Sequence, residues 1–237
     1  MFDGRLSKPI AIGVAAIAIA SGAYGMVSAT AGTHSIATTT SASLAPTSRQ
    51  FAPGSVRPNA RSGSAAGGAA GTVETVSRSS FTISTSAGQK VTVNKASSTT
   101  YRRGSLSTSA DAIKNGKSVL VLGTVTGTTI TAEQVIVEPT GGMAAPSATK
   151  VVPFQRGAPA TAKQVGQIPA NYTQGSGIIV SGTSANKATE AALASYPGGI
   201  VDRVVKVSDG EYEVHNIGVS WPHHIFVNQN FAVVGAD

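Results

Sequence analysis

The chain has 237 residues, a formal net charge of +7 and no cysteine; 12% of residues are charged and 5% aromatic. The missing thiols exclude disulfides, thiolate catalysis and cysteine-ligated metals. The 27 glycines, 11 prolines and few aromatics favour two modest cores over one large one, because Ser/Thr/Ala/Gly stretches bury too little apolar area to offset the entropy of ordering.

Residues 1–31 read as a secretory signal. Arg5 and Lys8 precede an apolar run from Ile10 to Ala20, and Val27-Ser28-Ala29 and Ala29-Thr30-Ala31 both fit a small-x-small exit. The apolar run is shorter than the roughly 20 residues that span a bilayer. No charged residue lies between Lys8 and Arg49, so an uncleaved segment from Pro9 to Ala29 is a second possibility, retained as a membrane anchor. Either outcome places the remainder outside the cytoplasm, secreted or in the cell envelope.

Residues 32–70 form a Ser/Thr/Ala/Gly/Pro stretch with neither helical nor strand periodicity, ending in Gly63-Ser64-Ala65-Ala66-Gly67-Gly68, and read as a disordered linker. Arg49, Arg57 and Arg61 make it basic. Residues 139–182 read as a second, Pro/Gly-rich linker, with Lys150, Arg156 and Lys163 and no acid. Basic arms of this kind suit anionic wall polymers. Spaced charges also simply keep such linkers soluble.

From Gly71 the pattern turns to period two. Phe81 and Ile83, then Val91 and Val93 beyond a turn at Ala87-Gly88, read as paired strands. Ser118 to Val125 reads as a more deeply buried strand, since Val119, Leu120, Val121 and Leu122 are all apolar. The next, from Ile130 to Val137, slips its apolar parity between Ala132 and Val135, the sign of a bulge. A short helix is expected over Ser107 to Asn115. Gly116-Lys117-Ser118 lacks the first glycine of a phosphate loop and leads into a strand, so it reads as a turn.

Ser184 is the expected N-cap of a helix bearing Ala188, Ala192, Leu193 and Tyr196 on one face and stopped by Pro197-Gly198-Gly199. Strands follow over Ile200 to Val207, Glu211 to Val219, His223 to Val227 and Phe231 to Val234. The fold class is thus β-rich. It comprises an OB-like β-barrel over residues 71–138 and an α+β module, one helix on an antiparallel meander, over 183–237.

The spacing of Gly71-Thr72-Val73, Gly88 before Val91-Thr92-Val93, Gly116-Lys117-Ser118-Val119, Gly123-Thr124-Val125 and Ala132 through Val137 resembles uncharacterised extracellular bacterial domains of OB-like barrel shape. The last region resembles the PepSY family at Ala191-Ala192-Leu193, Tyr196-Pro197-Gly198, Gly210-Glu211-Tyr212-Glu213-Val214, Val227-Asn228 and Phe231-Ala232-Val233; it departs from the family over Gly218 to His224. That resemblance implies a secreted or envelope protein that binds a peptide or modulates a peptidase. It carries over no catalytic residue.

Site candidates are sparse. Glu211, Glu213 and His215 should share one strand face, which reads as solvated, with Tyr212 and Val214 inward. Trp221-Pro222-His223-His224 is the most distinctive peptide. Trp221 reads as a core cap or a binding anchor, and His223 and His224 as surface residues pointing to opposite faces; His215 with one of them is a weak two-histidine metal pair. Tyr101-Arg102-Arg103 is an aromatic-basic cluster in a loop, the type that stacks on and neutralises polymer strands, although export argues against nucleic acid. No nucleophile elbow or Ser-His-Asp arrangement is legible. The expectation is a protein that is not an enzyme, without cofactor or metal. Its partner is a peptide or peptidase of the envelope, or alternatively an anionic wall polymer for a structural, adhesive protein.

Overall fold

The computed structural model describes residues 63–139 and 150–237. The signal or anchor segment, most of the first linker and the start of the second lie outside them. The described residues are β-rich, with one α-helix and a mixed sheet.

Strand β1 (Ala65–Val76) starts inside the stretch expected to be disordered linker. Its residues from Ala66 to Gly71 are buried, because neighbours border both edges and both faces: Ala66 and Ala70 enter one core and Ala69 the other. It pairs antiparallel with β5 (Ser118–Thr126) over eight positions, from Ala65↔Val125 to Thr72↔Ser118, and with β10 (Ile200–Lys206) at Gly68↔Val201 and Ala69↔Ile200. A β-carbon on Gly67 would overlap the Val201 carbonyl oxygen, and one on Gly68 the Val121 carbonyl oxygen. The absence of side chains, which reads as linker composition, is here the condition for close backbone approach.

β2 (Ser80–Ser84) and β3 (Lys90–Arg103) form the expected hairpin, with Phe81↔Val93 and Ile83↔Val91 in register and Gly88 at φ 82° in the turn. β3 pairs parallel with β6 (Thr129–Val137), β6 antiparallel with β5, and β1 also pairs with β2. The pairings β1–β2–β3–β6–β5 therefore return to β1. The parity slip in β6 is a register shift: Leu122 faces Gln134, Gly123 faces Ala132, and Glu133 is the extra residue. In place of a helix over Ser107 to Asn115 there is a short strand, β4 (Leu106–Thr108), then a single 3-10 turn at Ala110–Ala112 capped by Ser109. Tyr101, Arg102 and Arg103 lie in β3 opposite Thr108, Ser107 and Leu106, not in a loop.

The helix α1 (Gly182–Ser195) has Ser181, not Ser184, at its N-cap. Its buried residues Ala185, Ala188, Thr189, Ala192 and Leu193 follow the 3.6-residue period. They pack with Ala66, Ala70, Leu120, Leu122, Val201, Val204, Tyr212, Val214, Ile225 and Val227. A second core gathers Val73, Phe81, Ile83, Val91, Val93, Val119, Val121 and Val135. In β5 the run Val119 to Leu122 is apolar without a break because alternate side chains enter different cores, Leu120 and Leu122 one, Val119 and Val121 the other.

β10 continues antiparallel into β11 (Tyr212–Ile217), β13 (His224–Val227) and β14 (Val233–Ala236). This is the helix-on-meander layout expected for the last region. The two predicted modules are not separate beads: β1 carries one sheet through both, and Thr85 Oγ1 donates to the Gly198 carbonyl at 2.6 Å across their junction.

The second linker also differs from expectation beyond residue 149. β7 (Val152–Pro153) pairs with β12 (Val219–Trp221), β8 (Val165–Gly166) with β14, and β9 (Ile178–Ile179) with β10. Val151, within the stretch expected to be linker, is fully buried. Residues 150–180 thus run as an extended strap along the C-terminal strands. Among the described residues no helix is long and apolar enough to cross a membrane.

Candidate functional site

Strand β11 has both faces covered. Tyr212 and Val214 enter the core beneath α1, as expected. Glu213 and His215 point the other way, and that face is not solvated: Glu213 is 0% and His215 4% exposed. Strand alternation placed the two residues on one face correctly. What reverses the expected exposure is the strap, which supplies Tyr172 above them.

Register brings the partners together. His215 stands directly opposite His224 on β13 and opposite Arg203 on β10. A register shift between Val201 and Arg203 lets Asp202 reach the same histidine from the adjacent position. His215 Nδ1 lies 2.6 Å from Asp202 Oδ1 and 3.1 Å from an Arg203 guanidinium nitrogen. One ring nitrogen cannot both donate to the carboxylate and accept from the guanidinium, so the shorter contact fixes the proton on Nδ1. Arg203 then acts as a nearby cation, 3.4 Å from the Asp202 carboxylate.

His224 repeats the arrangement. Its Nδ1 donates to Glu213 Oε1 at 2.7 Å, with the Tyr172 hydroxyl 3.2 Å away. The two imidazoles sit 5.2 Å apart, centre to centre. The result is a pair of carboxylate–imidazole dyads flanked by one guanidinium. With both imidazoles neutral, Asp202, Glu213 and Arg203 leave this cluster with a formal charge of −1. Two of its polar atoms, Glu213 Oε2 and Arg203 Nε, are buried without a hydrogen-bond partner.

Tyr172 packs edge-on against Phe226 at 4.8 Å. Its hydroxyl is held above the ordinary tyrosine range, first by burial and then by the Glu213 carboxylate beside it. A raised folded-state value means that stability is complete below the unfolded tyrosine value, about 10, and is lost as pH rises above it. Urea denaturation at pH 9 and pH 11 should therefore show alkaline destabilisation. The variant Tyr172→Phe should lose a measurable part of that drop; an unchanged drop would remove Tyr172 as its source.

Trp221 is buried, as a core cap, and is not a rim anchor: its Nε1 donates to the Lys163 carbonyl at 2.7 Å, and its ring meets Tyr196 edge-on at 5.6 Å. His223 is exposed as expected, whereas His224 is buried. His223 and His224 do diverge, so His215 pairs with His224 alone. Among the described residues no group of three or more His, Cys, Asp or Glu side chains is placed to hold a metal ion.

The Tyr101-Arg102-Arg103 cluster is divided. Tyr101 packs against the interior core, Arg103 pairs with Glu138 at 3.4 Å, and Arg102 lines a groove beside α1 with Thr100, Glu133, Lys187 and Glu190. Two bases, Arg102 and Lys187, share that groove with two acids, Glu133 and Glu190, so it is not a purely basic track.

Sequence reasoning missed Asp202, Arg203 and Tyr172. Asp202-Arg203 interrupts an otherwise apolar strand, Ile200 to Val205, and charges in such a run signal a partnered cluster. Nothing local marks Tyr172, which lies in a stretch composed like a linker. No family model, no curated protein and no solved structure matches the chain.

Proposed function

We propose that the chain is an exported, non-enzymatic binding protein whose PepSY-like C-terminal module engages a peptide, or an extended segment of a peptidase, in the cell envelope. One observation carries this reading: the antiparallel strands of that module already accept extended chain along their edges. β8 lies on β14 through Gly235↔Gly166 and Ala236↔Val165, and β9 lies on β10 through Val205↔Ile179 and Lys206↔Ile178. Addition of an extended segment to a sheet edge is a general mode of peptide recognition, with affinity from main-chain hydrogen bonds and selectivity from alternate side chains.

The first module is read as an OB-like barrel that acts as spacer or second binding surface. Support comes from the returning cycle of pairings β1–β2–β3–β6–β5 and the parallel β3–β6 pair within it. Support for export comes from the basic, apolar and small-residue order of positions 5 to 31.

The test is a selection of displayed peptides against the mature protein, followed by amide-resonance mapping of the winners. Perturbations concentrated at residues 224–227 and 233–236 are expected. A selection yielding no peptide that shifts any amide would sink the reading.

A further inference from the structure

The strap behaves as an imperfect ligand of the face it covers. Among residues 150–180 only Val151 is buried, and the three strands it contributes are two residues long each. It is fastened at separated points. Gln167 N–H donates to the Val234 carbonyl and Val180 N–H to the Val204 carbonyl, both at 2.9 Å; the Lys163 carbonyl accepts from Trp221, and Tyr172 sits against His224 and Phe226. A segment with little buried apolar area and widely spaced hydrogen bonds belongs to the low-stability end of a structure and opens without global unfolding.

The surface beneath is of a different kind. Trp221 and Phe226 are 1% and 0% exposed, and Phe226 stands opposite Glu213 of the cluster that also holds Asp202, Arg203, His215 and His224. The strap leaves Glu213 Oε2 and Arg203 Nε buried and unsatisfied. Such groups are costly when unpaired, so a better-fitting occupant would gain what the strap forgoes.

We propose that residues 150–180 are a ligand held in cis, occupying the peptide-binding face until an extended segment of another chain displaces them. This rests on the peptide-binding reading above and specifies its site and its control. The displacing peptide adds along β14. It carries an aromatic ring for the surface now taken by Tyr172 and a cationic group for Glu213, since the cluster's formal charge with neutral imidazoles is −1. The cis copy competes at the effective concentration set by its own linkage, which keeps weak peptides out.

Native-state hydrogen exchange on the mature full chain tests the opening. The amides of Gln167 and Val180 should exchange at least tenfold faster than those of Val204 and Val214; equal rates would overturn the proposal. A labelled synthetic peptide with the sequence of residues 150–180 tests the competition. It should bind the Tyr172→Ala protein at least tenfold more tightly than the unaltered one. If Tyr172→Ala does not fold, Gly166→Ala serves instead. That position has φ 71° and its β-carbon would overlap the Val234 carbonyl, so the lesion strikes β8 away from the polar cluster. Equal affinity for altered and unaltered protein overturns the proposal, as does a strap exchanged between two copies and read as a dimer. If the strap opens but selected peptides never shift residues 224–227, the peptide-binding reading fails while the mobile cover stands.

Discussion

Gly67→Ala should destabilise the protein by about 3 kcal/mol or more, a loss of the size reserved for steric and core lesions. The added β-carbon would overlap the carbonyl oxygen of Val201 and approach Val125 Cγ2 at 3.2 Å. Neither neighbour can retreat cheaply. Val201 is paired with Gly68 in the only register that joins β1 to β10, and Val125 belongs to the core enclosed by the returning strands. Relief would require β1 and β10 to part where the helix packs across them. Gly63→Ala provides the contrast: nothing lies within 4 Å of its added carbon, and the change should stay within about 0.5 kcal/mol. Urea denaturation of both variants measures the difference. Equal stabilities would show that the glycine stretch does not form a tightly bordered strand.

His224→Ala should cost about 3–5 kcal/mol, because it strands the fully buried Glu213 carboxylate. Glu213 already has one unpartnered oxygen, and removing its 2.7 Å imidazole donor leaves only the Tyr172 hydroxyl nearby. The double variant Glu213→Leu/His224→Leu removes both the charge and its donor, and should recover most of the loss. The double-mutant cycle, measured by denaturation at pH 7, therefore predicts a strongly non-additive pair. Additive effects would mean that the two side chains are not energetically coupled. Asp202 and His215 form the more exposed dyad, with a fifth of the Asp202 side chain reaching solvent, and should show a smaller coupling.

Much of the strand order was legible in the sequence because it depends on local period. Phe81/Ile83 and Val91/Val93 alternate as a half-buried hairpin must, and the slip at Ala132 to Val135 corresponds to the extra residue Glu133. Tyr196-Pro197-Gly198 ends α1 where a helix stop was expected, since proline cannot continue the hydrogen-bond ladder. The expected helix over Ser107 to Asn115 failed because that segment is too short to repay nucleation and is drawn instead into pairing with β3.

The site was far less legible. The alternation of Glu213 and His215 fixed which side chains travel together, but not which face is covered. Solvent and strap leave the same two-residue period in β11; only the strap turns it into a buried cluster.

The amino-acid sequence by itself determined the strongly periodic strands β2, β3, β5, β6, β10, β11, β13 and β14, which side chains of each share a face, and the helix with its stop, since each is set by neighbours within a few positions. Tertiary structure decided that Ala65 to Gly71 is a central strand and that residues 150–180 are a cover. It also decided that Asp202, His215, His224 and Glu213 meet. Small, polar and proline-rich stretches have the same composition in water as against a crowded backbone, and only distant partners such as Val201 and Phe226 distinguish the two.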